Sequence, residues 1–111
     1  MKTKRGVASE SSSFSQRVKD IIKKIPKGKV ATYGQIAKQA GNPRASRQVV
    51  WILCSSTQKD KLPWHRVVNG KGKISLKPNH GYEIQKELLQ KEGVFFDESD
   101  TIDFERYLWS P

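Results

Sequence analysis

Gly41-Asn42-Pro43 leaves almost no chain between two helical patterns, and this short connection restricts the fold more than any other feature of the sequence. Before it, Thr32 and Gln35 stand at capping-box spacing and are followed by Tyr33, Ile36, Ala37 and Ala40. A helix therefore starts at Thr32, whose hydroxyl satisfies one of the first free amides, and stops at Gly41. After the turn, Asn42 as N-cap and Pro43 at the first helical position predict a new helix. Its Val49, Ile52 and Leu53 share one side, while Arg44, Arg47, Gln48 and Trp51 share the other. Two short helices joined this closely have the form of a helix-turn-helix, in which the second member is the recognition helix. An apolar inner side and a basic, partly aromatic outer side suit a nucleic-acid groove.

The rest of the chain builds around this pair. Ser13 and Gln16 repeat the capping-box spacing, and Phe14, Val18, Ile21, Ile22 and Ile25 form one apolar stripe that Pro26 and Gly28 end, giving a first helix. Residues 29–31 form an extended link, and residues 55–61 a polar loop. Val67-Val68 and residues 73–76 are expected to pair across Asn69-Gly70-Lys71-Gly72 as a basic hairpin, a wing beside the helix-turn-helix. Gly81 to Glu92 reads as a fourth helix through Ile84, Leu88 and Leu89, followed by a short apolar strand at Val94-Phe95-Phe96. The acidic residues 97–103 come next, then a terminal cluster of Phe104, Tyr107 and Leu108. Residues 1–12 are basic and serine-rich, too poor in apolar residues to pack, and are expected to form a mobile arm. The fold expected over residues 13–111 is mainly α with a small β-hairpin: a single winged helix-turn-helix domain.

Lys and Arg number 21 against 11 Asp and Glu, a net charge of +10. Such an excess favours a polyanion, with an anionic membrane surface as the competing partner. No apolar run reaches membrane-spanning length, and Met1-Lys-Thr-Lys-Arg leads into a serine run rather than the apolar centre of a signal peptide. The expected place is intracellular, cytoplasmic and nucleoid-associated if the source is bacterial. A single cysteine, Cys54, and two histidines allow no internal disulfide and argue against a structural zinc, so no cofactor is expected. Cys54 follows Leu53 on the apolar side of its helix and is expected to be a buried, inert thiol.

Pro63 fixes the backbone ahead of Trp64, and Val67-Val68 then enters the Asn69-Gly70 turn, so Trp64 sits at a rigid loop-to-strand junction. This segment, Pro63-Trp64-His65-Arg66-Val67, resembles the active-site signature Pro-Cys-His-Arg-Val of the O6-alkylguanine-DNA alkyltransferases. Trp64 stands where the acceptor cysteine would be, which is the mark of the alkyltransferase-like proteins. Ala31-Thr32-Tyr33-Gly34-Gln35-Ile36-Ala37 is similar to a second motif of that family, Thr-Tyr-Gly-x-Ile-Ala, and the resemblance runs from about Ile25 through Gly93.

The resemblance implies a role for each matching residue. Tyr33 alone would read as a packing residue, and Arg47 as one solvated charge among many. In the family, the tyrosine crowds the phosphate beside the target nucleotide and the arginine fills the space left when that nucleotide rotates out of the duplex. Trp64, Val67 and Val68 would form the pocket for the extruded base. Thr32, Gln35, Arg44, Ala45, Ser46, Gln48 and Lys77 are the expected DNA contacts, made through the minor groove. Gln48, Val50 and Trp51 are bulkier than the family stretch, which bears on how deeply the helix can sit. His65, Arg66 and Glu92 match a relay that activates the family's thiol. An indole has no thiolate to generate, so here they read as a retained structural network. Where the family commonly has an asparagine supporting the loop, Ser56 stands.

The implied function is recognition of O6-alkylguanine in duplex DNA by a monomer that carries out no transfer and passes the lesion to nucleotide excision repair proteins. Two rivals remain at this stage. One is a winged helix-turn-helix regulator without a lesion pocket; the other is an enzyme using Cys54 or another group as the alkyl acceptor.

Overall fold

The computed structural model describes residues 13–111, so the arm expected over residues 1–12 lies outside the described residues. Helix α1 (Phe14–Lys23) opens at Ser13, whose hydroxyl accepts from the Gln16 amide at 3.1 Å. The Gln16 side chain turns to Asp20 at 3.0 Å instead of closing a capping box. Val18 and Ile22 are fully buried, each of the order of 1.5–3 kcal/mol of transfer free energy. Strand β1 (Ala31–Thr32) leads directly into α2 (Tyr33–Gln39), where the capping box is complete: Thr32 Oγ1 accepts from the Gln35 amide at 3.0 Å, and Gln35 Oε1 accepts from the Thr32 amide at 3.3 Å.

Helix α3 (Ser46–Asp60) starts later and runs further than its sequence suggests. The Asn42 side chain accepts from the Arg44 amide at 3.2 Å and its carbonyl from the Ala45 amide at 3.0 Å. Residues 42–45 are thereby closed into a turn, and the helix begins at Ser46 rather than at Pro43. At the other end, residues 55–60 are helical rather than a loop. Ser55 Oγ donates to the Ile52 carbonyl and Thr57 Oγ1 to that of Leu53, so these polar residues bond back to the preceding turn instead of breaking the helix. Lys61, in the left-handed region at φ 53°, ends it.

The expected wing is not formed. Strand β2 (Val67–Val68), reached through the 3₁₀ turn Trp64–Arg66, pairs in parallel with β1, Ala31 opposite Val67 and Thr32 opposite Val68. The two strands are separated by α2 and α3, which supply the crossover that a parallel pair requires. Beyond β2, the Asn69 amide donates to the Lys73 carbonyl and the Gly72 carbonyl accepts from the Ile102 amide at 2.8 Å. The turn therefore docks on the C-terminal segment, and residues 73–76 are left without a ladder. Gly72 is needed there: its φ is +78°, and a Cβ would stand 2.7 Å from the Ile102 carbonyl oxygen.

Alternation across the two strands divides the interior. Ala31 and Val67 join α1, α2, α3 and Leu62 in one core, whereas Val30 and Val68 join Leu89, Val94, Ile102 and Tyr107 in the other. Helix α4 (Tyr82–Lys91) buries Gln85 and Leu89 and leaves Ile84 exposed, a different inner face from the expected one. Val94 is buried and Phe96 forms a single antiparallel bridge to Ile102, while Phe95 is exposed. The short α5 (Phe104–Tyr107) is capped by Asp103, and the tail returns to the sheet, where the Trp109 amide donates to the Val30 carbonyl at 2.7 Å. The architecture is mainly helical with a small two-stranded parallel sheet.

Candidate nucleic-acid interface

Helix α3 packs its Val49, Ile52 and Leu53 side against α1 and α2, which turns Arg47, Gln48 and Trp51 outward; with Arg44 of the preceding turn they surround a shallow groove of about 510 Å³. The two arginines and the glutamine are exposed. Trp51 is 72% exposed, an unusual state for an indole.

A second depression, about 440 Å³, opens between α3 and the Trp64 turn. Tyr33, at the first position of α2, lines it together with Val50 and Cys54 of α3, Trp64, Val67 and Leu76. Burial raises the Tyr33 phenol pKa against a hydrogen bond to Ser75 that lowers it, so the hydroxyl stays protonated. The Trp64 amide donates to the Leu62 carbonyl at 2.8 Å, and the indole meets the His65 ring nearly edge-on, with centroids 6.2 Å apart and planes at 83°. The wall is a flat aromatic surface on a constrained backbone, suited to stacking against another ring.

Behind the turn, Glu92 draws three elements together. His65 Nε2 lies 2.7 Å from Glu92 Oε2, Arg66 Nη2 donates to the same oxygen at 2.8 Å, and Arg66 Nε donates to Oε1 at 3.0 Å. The Gly28 amide adds a hydrogen bond to Oε1 at 3.1 Å, and Arg66 Nη1 reaches the Ile25 carbonyl at 2.9 Å. Burial alone would raise the Glu92 pKa. The hydrogen bonds from Arg66, His65 and the Gly28 amide outweigh it and bring the carboxyl down to about 2. None of the three side chains lines the cleft.

Comparison with known proteins places this geometry. A family model described as "6-O-methylguanine DNA methyltransferase, DNA binding domain" matches residues 13–94. The chain belongs to this methyltransferase DNA-binding-domain family. It is 48% identical over 98 residues to the "DNA base-flipping protein" of Escherichia coli K12, an alignment covering 88% of this chain and 75% of that one. It is 36% identical over 103 residues to "Alkyltransferase-like protein 1" of Schizosaccharomyces pombe, covering 88% and 95%. The crystal structure of S. pombe Atl1 in complex with damaged DNA containing O6-carboxymethylguanine superposes with a TM-score of 0.76 at 36% identity, again over 88% and 95% of the two chains.

Within this domain of the methyltransferase family, the structure brings Tyr33, Trp64 and Val67 together at one cleft and sets Arg44, Arg47 and Gln48 on the neighbouring groove. Other expected site residues are placed differently. Val68 follows Val67 with the opposite orientation and is buried in the second core, so its side chain does not reach the cleft. Ala45 is 5% exposed and packs in the first core, and Ser46 is half-buried beside it. Thr32 and Gln35 have their polar atoms engaged: the threonine caps α2, and Gln35 Nε2 also donates to the Trp109 carbonyl at 2.7 Å. Lys77 is exposed and follows Leu76, outside the cleft lining. Cys54 corrects the expectation of a buried thiol, for it is exposed and lines the cleft. Helical rotation by one residue from Leu53 is enough to turn it out of the core.

Gln85 is a site residue that sequence reasoning missed. It is 2% exposed, lines the cleft floor, and its Nε2 donates to the carbonyls of His65 at 3.1 Å and Val67 at 3.0 Å. The available signal was its i, i+4 relation to Leu89, masked by the apolar Ile84 next to it.

Proposed function

We propose that this protein recognises O6-alkylguanine in duplex DNA by rotating the damaged nucleotide out of the stack and holding it, unreacted, in the cleft walled by Trp64. The observation that carries this reading is the adjacency of an aromatic cleft and an arginine-bearing helix face on one small, strongly basic domain. Helix α3 enters the minor groove, whose degenerate hydrogen-bond pattern suits a search that cannot depend on sequence. Arg47 fills the space left in the stack, and Tyr33 presses on the adjoining phosphate. Extrusion costs a few kcal/mol, which base stacking against Trp64, about 1–3 kcal/mol, offsets in part. Val67 completes the apolar wall, and backbone groups beside Val67 and Val68 read the base edge. Arg44, Gln48, Ser46 and Lys77 contact the DNA backbone.

Trp64 holds the position that the acceptor cysteine has in the alkyltransferase signature, and an indole offers no thiolate. Recognition therefore ends in a stable complex rather than in transfer. The complex presents the lesion to nucleotide excision repair proteins, with the domain acting as an intracellular monomer. The relatives named for DNA base flipping and the Atl1 complex with O6-carboxymethylguanine support this reading. Among the described residues, no helix is long and apolar enough to cross a membrane.

The test is an equilibrium titration at near-physiological salt with two duplexes that differ only in one O6-methylguanine, because non-specific charge attraction is salt-sensitive. Tighter binding to the damaged duplex, with the protein mass unchanged after incubation, is the expected result. Equal binding leaves a basic helix-turn-helix without a lesion pocket as the better description, and a protein mass raised by one methyl group replaces recognition with transfer.

A further inference from the structure

Trp51 lies on the outward side of α3 with Arg47 and Gln48, beside Arg44 of the preceding turn, and at 72% exposed it has little of the core around it. A large apolar ring held in water on a binding surface is a candidate anchor for the partner of that surface. Its position relative to Arg47 is informative. The two residues are four apart on the same helix face, so Trp51 stands about 6 Å further along the axis at 1.5 Å per residue. Base pairs repeat at about 3.4 Å along the duplex, so with α3 lying along the groove this offset spans at most roughly two base-pair steps. Minor-groove proteins bend DNA by wedging apolar side chains between base steps. The indole supplies such a wedge, and its one N–H donor matches a groove whose floor is rich in acceptors.

We propose that Trp51 is a second DNA-inserting residue, one that lodges in the minor groove within about two base pairs of the place Arg47 enters and bends the duplex whether or not a lesion is present. The inference rests on the reading of α3 as the helix that enters the groove. It assigns the two side chains separate work. Arg47 acts only where a nucleotide has left the stack, whereas Trp51 loosens stacking in any duplex and so lowers the cost of extruding the nucleotide nearby. A protein that scans undamaged DNA gains from this division, because each encounter already strains the neighbourhood in which a weakened base pair would give way.

The experiment uses the full chain and its Trp51→Ala and Trp51→Phe variants, titrated against the damaged and undamaged duplexes, with donor and acceptor dyes on the duplex ends to read bending. Trp51→Ala is expected to weaken binding to the undamaged duplex by roughly tenfold, to weaken binding to the damaged one by at least as much because extrusion loses its help, and to keep the duplex ends further apart in the complex. Trp51→Phe, which retains an aromatic wedge, is expected to stay within about threefold of the parent. Because the side chain is exposed, the thermal melt of both variants should match the parent. Parent-like binding of Trp51→Ala to both duplexes overturns the proposal, and so does a loss confined to the damaged one, which would make Trp51 part of the lesion pocket. If the parent itself shows no preference for damage, lesion recognition fails, while an equal loss on both duplexes still supports the wedge.

Discussion

Arg66 and Arg47 carry the same guanidinium on the same small domain, and their surroundings differ in every respect. Arg66 is 18% exposed and directs its Nε, Nη1 and Nη2 at the Glu92 carboxylate and the Ile25 carbonyl. Arg47 is exposed and, among the described residues, its side chain has no hydrogen-bond or ion-pair partner. The contrast extends to their neighbours. Around Arg66, His65 and the Gly28 amide also converge on Glu92; around Arg47, Arg44, Gln48 and Trp51 point outward. A polar group whose hydrogen bonds are satisfied within the chain stabilises the fold and has little left for a ligand, while one left to water retains its full capacity for another molecule. The rear of the Trp64 turn therefore serves the fold, the outward side of α3 is the proposed interface, and substitutions should separate the two.

The largest effect is expected at Glu92. Glu92→Ala leaves Arg66 and His65 facing each other without the carboxylate; the pair is partly buried, so its loss costs about 3 kcal/mol, the low end for removing one partner of a buried ion pair. The thermal midpoint should fall sharply, by well over 10 °C for a domain of this size. Acid gives a finer version of the same test. The Glu92 pKa is near 2 in the folded chain against an ordinary 4.5, so its contribution is fully present above pH 4.5 and disappears as pH falls toward 2. The stability gap between the parent and Glu92→Gln, measured by denaturant titration, should narrow across that window. A gap that stays constant from pH 5 to pH 2 would show that the carboxylate charge is not what holds the turn.

Gln85→Ala is next in size. The buried carbonyl of Val67 and the partly buried one of His65 lose this donor, at a cost of about 1–3 kcal/mol. The loss falls on the loop that carries Trp64, so lesion affinity should fall along with stability. A melt lowered with lesion affinity intact, compared at a temperature where both proteins are folded, would detach Gln85 from the site and leave it a packing residue.

These two predictions differ in how far sequence alone leads to them. The His65, Arg66 and Glu92 contact is legible because motif residues at 65, 66 and 92 name one another through the family resemblance. Gln85 belongs to no motif, and its neighbour Ile84 presents the more obvious inward side chain. Only the placement of two carbonyls, one in the 3₁₀ turn and one in β2, a tertiary fact, requires an amide inside and turns the isoleucine out. The helix-turn-helix is readable for a local reason, since caps and short turns act within a few residues. The hairpin expected after Val68 is misread for the opposite reason: the Asn69-Gly70 signal is local, but the partner that β2 finds is β1, 36 residues earlier in register, and Gly72 is drawn to Ile102. Cys54 lies at the limit of what helical periodicity can resolve, where one residue of rotation separates core from cleft.

Arg47→Ala carries the comparison to the interface. Stability should stay within about 0.5 kcal/mol of the parent because the side chain is exposed, while preference for the damaged duplex should fall by roughly tenfold, about 1.4 kcal/mol. Unchanged preference would remove Arg47 from the flipping step even if overall DNA affinity dropped by a charge's worth.

The smallest expected effect is at Cys54, and it bears on whether the cleft is a binding site or a reaction site. Its thiol is exposed on the same wall as Tyr33, within reach of anything the cleft holds, so burial cannot be the reason for inertness. Among the described residues that line the cleft there is no histidine, carboxylate or lysine. A cysteine becomes a nucleophile through an adjacent proton acceptor or a cationic neighbour, and His65 holds its Nε2 against Glu92 at 2.7 Å, with neither residue lining the cleft. Cys54→Ser should therefore leave lesion affinity within about twofold of the parent, and the parent incubated with O6-methylguanine duplex should show no added mass at this residue by peptide mass spectrometry. A methyl group on Cys54 would mean that thiolate chemistry has moved one wall across the cleft from Trp64. The rear network would then be a scaffold for catalysis, and the distinction between Arg66 and Arg47 would have to be drawn again with Cys54 on the reacting side.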